Sequence, residues 1–212
     1  MSNGSRLDRI VEGIAELVRG DRGTWVDLGS AILESAQQAA EERSAGLTVP
    51  NRFQVLMAPG AMPSRDVEEI TGHLSQLVEA AAVESGWRLE GPVAVMLEEA
   101  PVAGGVEVRP AFEPGSLTPW AVLRSAEGQD RHPVRHNRSV VGRSRDADVV
   151  IGDPSVSRRH ALLWREMGGH WIADFTSANG SFVNGEPVFD VVEVATADLI
   201  RFGETTFVVE IP

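Results

Sequence analysis

The sequence predicts two folded pieces of different class, an α+β domain followed by an all-β sandwich of about ten to eleven short strands. Three observations predict this. In the first third, apolar residues recur at three- and four-residue steps, the signature of amphipathic helices. From about residue 120 onward they sit in short runs separated by tight-turn residues, with no helical stripe. Between the two lies PAFEPGSLTP, residues 110–119, whose three prolines and one glycine make a stiff extended connector. The division is therefore 1–110 for the first domain, 111–119 for the linker and 120–212 for the sandwich.

In the first domain, Leu7, Ile10, Val11, Ile14, Leu17 and Val18 form one helical stripe that Gly20 closes. A second helical pattern carries Leu28, Ile32, Leu33, Ala36 and Ala40. Phe53, Val55 and Met57 then alternate with Arg52, Gln54 and Leu56 as a short strand. Ser64 is placed to cap a longer helix with Val67, Ile70, Leu74, Leu77, Val78 and Ala81, which Gly86 ends. Val93, Val95 and Leu97 make another strand, and Val106 to Arg109 one more. The predicted order is α-α-β-α-β-β.

In the second domain, Trp120 to Arg124 and Arg131 to Asn137 flank Glu127-Gly128-Gln129-Asp130 and read as a hairpin. Further strands are expected at 140–141, 149–151, 161–165, 170–175, 182–183, 191–194, 199–202 and 206–211. Gly168-Gly169, Asn179-Gly180, Asn184-Gly185 and Phe202-Gly203-Glu204 supply turns between them. So many short strands without a helix describe a β-sandwich.

Composition excludes several functions. The chain has no cysteine, so no disulfide framework and no thiolate site. All nineteen basic residues are arginine, against thirty-one acids, for a net charge of −12. That balance argues against a general nucleic-acid binder, which needs a basic face to displace counterions. No apolar run approaches the roughly 18 residues of a membrane span, and the first twenty residues lack a signal-peptide core. The expectation is a soluble, cytoplasmic protein that does not insert into membranes. The charge is also uneven. Within 119–160 eight arginines (124, 131, 135, 138, 143, 145, 158, 159) face five acids, a local +3 that reads as a focused anion site.

Four features fall on the turns of the predicted sandwich, where binding groups usually sit. They are Gly142-Arg143, Ser157-Arg158-Arg159-His160, Asn179-Gly180 and Asn184-Gly185. An arginine fork and a serine hydroxyl are donors suited to a phosphate dianion. Asn179 offers an acceptor and two donors, enough to read a peptide main chain. Each feature alone is weak. In this order, at spacings of 14, 3, 19 and 5 residues, they resemble the forkhead-associated (FHA) domain, a reader of phosphothreonine peptides, over Trp120 to Pro212.

That resemblance implies roles position by position. Arg143 matches the arginine that grips the phosphate, and Ser157 the hydroxyl that shares it. Arg158 follows in the same loop, and Asn179 matches the asparagine that bonds the peptide backbone. His160 matches a buried histidine that holds the recognition loop in shape. Gly142, Gly180 and Gly185 supply close approach and positive φ, and Asn184 with Gly185 makes a hairpin turn. Ala178 stands where many family members have a threonine that adds a hydroxyl to the phosphate, with Ser177 beside it.

Leu47-Thr-Val-Pro-Asn-Arg-Phe53 and Ser85-Gly-Trp-Arg-Leu-Glu-Gly-Pro-Val93 resemble the domain that precedes the FHA module in bacterial proteins of the FhaA type. The resemblance implies a non-catalytic adaptor without a cofactor, downstream of Ser/Thr protein kinases and often in control of cell-wall synthesis or division. Its partners would be threonine-phosphorylated proteins, a kinase or a kinase substrate. Thr118, in Ser-Leu-Thr-Pro, is placed for phosphorylation and for self-association through a neighbouring molecule's site. Two other readings stand beside this one: a phosphate-independent scaffold, and a metal hydrolase using His132 and His136, which a strand would put on one face.

Overall fold

The computed structural model describes residues 22–62, 67–103 and 105–212, with side chains from residue 28 onward. The predicted helix over 7–18 and the Ser64 cap lie outside the described residues. The chain divides into two compact units, the first built from residues through Glu42 and from Leu47–Gly115, the second from Ser116–Pro212 together with Arg43–Gly46.

The first unit sets two helices against a three-stranded sheet. Helix α1 (Arg22–Gln38) buries Leu28, Ile32, Leu33 and Ala36, the predicted stripe. Glu41–Arg43 (β1) and Gly46–Thr48 (β2) pair as a short ladder that the sequence reading missed. β3 (Arg52–Met57) is the central strand, parallel to β4 (Ala94–Glu99) and antiparallel to β5 (Val106–Ala111). Helix α2 (Val67–Glu84) joins β3 to β4, because parallel neighbours need a crossover. Its buried residues are Ile70, Leu74, Leu77, Val78, Ala81 and Ala82. Glu68 and Glu69 in its first turn suit the positive end of the helix dipole. Gly86 ends it in the left-handed region at φ 67°. Gly86 N–H donates to Val83 O and Trp87 N–H to Ala82 O, the paired bonds of a Schellman cap. Fully buried Phe53, at the centre of this core, is worth about 1.5–3 kcal/mol against leaving it exposed.

The two stretches that carried the FhaA resemblance lie side by side. Val49 N–H donates to Arg88 O at 3.0 Å and Arg88 N–H to Leu47 O at 2.7 Å. Asn51, 1 % exposed, donates from Nδ2 to Pro92 O and Glu113 O and accepts Glu113 N–H at Oδ1. The first unit therefore extends past the expected boundary at 110. Pro110 is tolerated in β5 because that strand is an edge and loses no ladder bond. Beyond it, Arg52 grips Glu113 with its fork, Nε to Oε2 at 2.8 Å and Nη2 to Oε1 at 2.7 Å. Those hydrogen bonds hold the Glu113 carboxyl below its ordinary range. Thr118, past this strap, is exposed.

The second unit is a sandwich of eleven strands. One sheet has the order β14-β11-β10-β8-β9 and the other β13-β12-β15-β16-β6-β7. Their ranges are β6 Ala121–Ser125, β7 Arg131–Val134, β8 Arg138–Gly142, β9 Val149–Val150, β10 Ala161–Glu166 and β11 Gly169–Asp174. Then come β12 Ser181–Val183, β13 Glu186–Pro187, β14 Val192–Glu193, β15 Leu199–Phe202 and β16 Thr205–Glu210. All pairings are antiparallel except β8 with β9. Leu123, Val141, Leu163, Ile172, Ile200, Phe202 and Phe207 form the core between the sheets. Trp120 closes one margin, stacked on His170 and donating from Nε1 to His136 O at 2.7 Å.

Glycine positions make the strap over Asn51 testable. A Cβ on Gly91 would lie 2.4 Å from Glu113 O and 2.8 Å from Gly115 N, both backbone atoms. A Cβ on Gly72, inside α2, would meet nothing. Gly91→Ala should destabilise the first unit by about 1–3 kcal/mol, while Gly72→Ala should stabilise it by about 1 kcal/mol through helix propensity. Urea denaturation of the two variants should move the midpoint in opposite directions. A Gly91→Ala midpoint equal to wild type would show that the 113–115 strap is not held as described.

Candidate phosphopeptide site

Three loops meet at one end of the sandwich: the one after β8, the one before β10, and the one between β11 and β12. Gly142 ends β8 where that strand runs under the second loop. A Cβ there would sit 2.3 Å from Arg158 O, so close approach, not positive φ, is what requires this glycine. The loops are then stitched together. Arg143 N–H donates to Ser157 O at 2.9 Å and Ser144 N–H to Arg158 O at 3.1 Å.

Arg143 is exposed, and its Nε donates to Val156 O at 3.0 Å. That bond fixes the plane of the guanidinium and leaves both Nη groups to donate outward. Ser157 Oγ accepts Ala178 N–H at 3.1 Å, which leaves its own proton free to donate. Asn179 Nδ2 donates to Ser155 O at 2.8 Å, leaving its Oδ1 and one further N–H for a ligand. Arg143, Ser157, Arg158 and Asn179 are thus brought together on adjoining loops.

His160 is 0 % exposed beneath them. Its Nδ1 accepts Ser157 N–H at 2.9 Å, so the ring proton is on Nε2, which faces Gly180 O at 3.1 Å as a donor. One ring therefore ties the serine loop to the asparagine loop, and Phe202 packs edge-on against it with centroids 5.5 Å apart. Gly180 has φ 74°. Asn184 and Gly185, at φ 52° and 91°, form the two-residue turn between β12 and β13. Asn184 also brackets Asp198 and Leu199, donating to Asp198 Oδ1 and accepting Leu199 N–H.

Sequence reasoning missed Asp174. Its carboxylate accepts Ser177 N–H at 2.7 Å, Ser177 Oγ at 2.8 Å and Ser181 Oγ at 2.6 Å. Burial pushes this carboxyl up, but the hydrogen bonds from Ser181 and from Ser177, with the His160 ring facing it, outweigh burial and hold it below its ordinary range. The Asp174-Phe-Thr-Ser177 spacing is a side-chain turn signal that could have revealed it. Thr176, inside this turn, is held at φ 57°. The Ser177 hydroxyl is therefore committed to Asp174 and does not replace the one missing at Ala178.

The eight arginines of 119–160 separate into two groups. Arg124 and Arg131 both grip Glu210, Arg135 donates to Leu117 O, and Arg138 lies over Trp164. Arg143, Arg145, Arg158 and Arg159 remain at the loops, with Arg159 lying over Phe175 at 5.0 Å. Among the described residues no carboxylate pairs with Arg143, Arg145 or Arg158. The local positive charge is thus narrower than the sequence count suggested.

The histidine pair is not brought together as a metal site. β7 ends at Val134, so strand alternation does not extend to His136. His132 packs edge-on to Phe207, whereas His136 Nδ1 lies 3.2 Å from Asp148 Oδ1. Among the described residues no three His, Asp or Glu side chains are grouped to hold a metal ion.

Asp174 gives this loop network a pH signature. A carboxyl whose folded pKa is depressed contributes stability above its unfolded pKa of about 3.9, and that contribution is lost as pH falls through the folded value. Wild type should therefore exceed Asp174→Asn in melting temperature by a constant margin from pH 7 down to about 4, and the margin should narrow below that. A margin that stays constant down to pH 3 would remove the charged role assigned to Asp174.

A family model for the FHA domain matches residues 139–203, and one for the FhaA N-terminal domain matches residues 3–104. The glycogen accumulation regulator GarA of Mycolicibacterium smegmatis is 33% identical over 109 residues, 50% of this chain and 68% of that one. FhaA of Mycobacterium tuberculosis is 32% identical over 96 residues, 45% of this chain but only 18% of that one. A solved structure from a study of phosphothreonine-dependent FHA domain interactions is 30% identical with a TM-score of 0.41, covering 43% of this chain and 96% of that one. No helix among the described residues is long and apolar enough to cross a membrane. The chain belongs to the FHA-domain proteins, with an FhaA-type N-terminal domain ahead of its FHA module.

Proposed function

We propose that the chain is a phosphothreonine-peptide-binding adaptor in Ser/Thr kinase signalling, acting in the cytoplasm without catalysing a reaction. The observation that carries this is the Arg143 fork, oriented by Val156 O beside the free proton of Ser157, with no carboxylate neutralising it among the described residues. A phosphate dianion there accepts from two Nη groups and one hydroxyl, with Arg158 adding charge. Asn179, with one N–H already used, bonds the peptide main chain next to the phosphothreonine. The partner is a threonine-phosphorylated protein, either a kinase or its substrate. The module supplies recognition, and the first unit, 1–110 in the sequence division, supplies a protein-contact role.

Arg143→Ala should weaken binding of a phosphothreonine peptide by a factor of hundreds without unfolding the protein. Each charge-assisted bond it removes is worth roughly 1.5–3 kcal/mol. Arg143→Lys should also fail substantially, since a point charge does not replace a planar fork. Calorimetric titration beside an unphosphorylated control checks this. Equal binding of the unphosphorylated peptide would favour a phosphate-independent scaffold, and an Arg143→Ala variant within threefold of wild type would move the site elsewhere.

Phosphothreonine should be preferred over phosphoserine if its extra methyl is buried against the site beside Asn179. One buried methyl is worth about 0.8 kcal/mol, so the expected ratio is about fourfold. An aspartate mimic should hardly bind, having one charge and too few oxygens. Matched peptides of equal affinity would refute burial of the methyl.

A further inference from the structure

Resting on the phosphopeptide reading, we propose that Arg145 and Glu204 select the charges flanking the phosphothreonine, so that the preferred ligand is acidic on one side of that residue and basic on the other. Exposed arginines and an exposed carboxylate occupy different loops at this end of the sandwich. Arg143 and Arg145 stand on the loop after β8 and Arg158 on the loop before β10. The one carboxylate among them, Asp146, is engaged by Ser144, whose Oγ donates to Asp146 Oδ2 at 3.3 Å. Arg143 and Arg158 are assigned to the phosphate, which leaves Arg145 to meet a neighbouring anion.

The exposed carboxylate is reached through Ser155. Asn179 Nδ2 donates to Ser155 O, and Ser155 Oγ accepts Glu204 N–H at 2.9 Å. Glu204 therefore starts from the same residue that anchors Asn179. The turn that carries it is pressed against this loop: Gly203 has φ 59°, and a Cβ there would lie 2.6 Å from Ser155 O. Glu204 is exposed, and no cation pairs with its carboxylate among the described residues. Arg201, three residues earlier, lies over the Phe182 ring and donates to Gly203 O. Asp153, the other carboxylate in this loop, accepts both the N–H and the hydroxyl of Ser155. Those bonds hold it below its ordinary range and occupy it structurally.

A peptide whose main chain is held at Asn179 lays its two flanks across these loops. An exposed matched charge is worth about threefold in affinity, and two together about tenfold at low salt. The test uses two phosphothreonine peptides of identical composition, one with acids before and arginines after the phosphothreonine, the other reversed, each with an unphosphorylated control. Binding to the full chain is read by fluorescence anisotropy for wild type, Arg145→Glu, Glu204→Arg and the milder Glu204→Gln.

The expected result is one orientation about tenfold tighter, a ratio cut to about threefold or less by each substitution, and a smaller contrast at high salt. Two orientations within twofold of one another, both still phosphate-dependent, would overturn the charge selection and leave the phosphopeptide function standing. A preference unchanged in all three variants would equally overturn the assignment to Arg145 and Glu204. Loss of phosphate dependence in both peptides would overturn the underlying function instead.

Discussion

The buried ring of His160 is the constraint on which the recognition end of the sandwich depends. A donor from one loop and an acceptor from another are satisfied by opposite nitrogens of one imidazole, and the distances of 2.9 and 3.1 Å leave little freedom between them. Water cannot substitute easily at a position with no exposure. The ring is itself anchored from both sides by backbone, its N–H to Val141 O and its C=O to Phe175 N–H. The positions of Ser157 and Gly180 are thus set by the core strands and not by the ligand. That is the preorganisation a binding loop needs, since ordering it on binding would cost affinity.

A second layer acts through the residues that hold charge in place. Asp174 absorbs three donors within the loop from 174 to 181 and so keeps Thr176 in an unfavourable backbone region. Gly142 permits the two loops on the arginine side to approach at a distance that any side chain would forbid. On the opposite sheet Glu210 neutralises Arg124 and Arg131. At the loop end no carboxylate does so for Arg143, Arg145 or Arg158 among the described residues. An excess of arginine at a few residues of an acidic protein focuses the field there.

Much of this was legible in the sequence, for identifiable reasons. The strands of the sandwich and the stripes of both described helices appear as periodicity, because one face of each element is buried. Turn chemistry marked Asn184-Gly185 and the Gly86 helix end for the same local reason. What escaped depended on partners distant in the chain. Asn51 reaches over to residue 113, so the end of the first unit could not be read from the proline-rich composition around it. The early end of β7 separated His132 from His136, which alternation alone had placed together. Arginine counts could not say which guanidiniums were already taken, since the Glu210 partner lies 79 and 86 residues away from the two it binds.

The departure at Ala178 has a physical consequence for recognition. With no hydroxyl at 178 and that of Ser177 turned to Asp174, the side-chain donors proposed for the phosphate are those of Arg143, Arg158 and Ser157. The backbone N–H of Ala178 is no substitute, because it is spent on Ser157 Oγ. That same bond occupies one acceptor position of Ser157 Oγ and leaves its proton to donate elsewhere. With fewer contacts to the phosphate itself, a larger share of affinity falls to the residues around it. The main-chain bonding proposed for Asn179 would be the same for any sequence, so on that reading discrimination between phosphothreonine peptides falls to side chains at the rim of these loops.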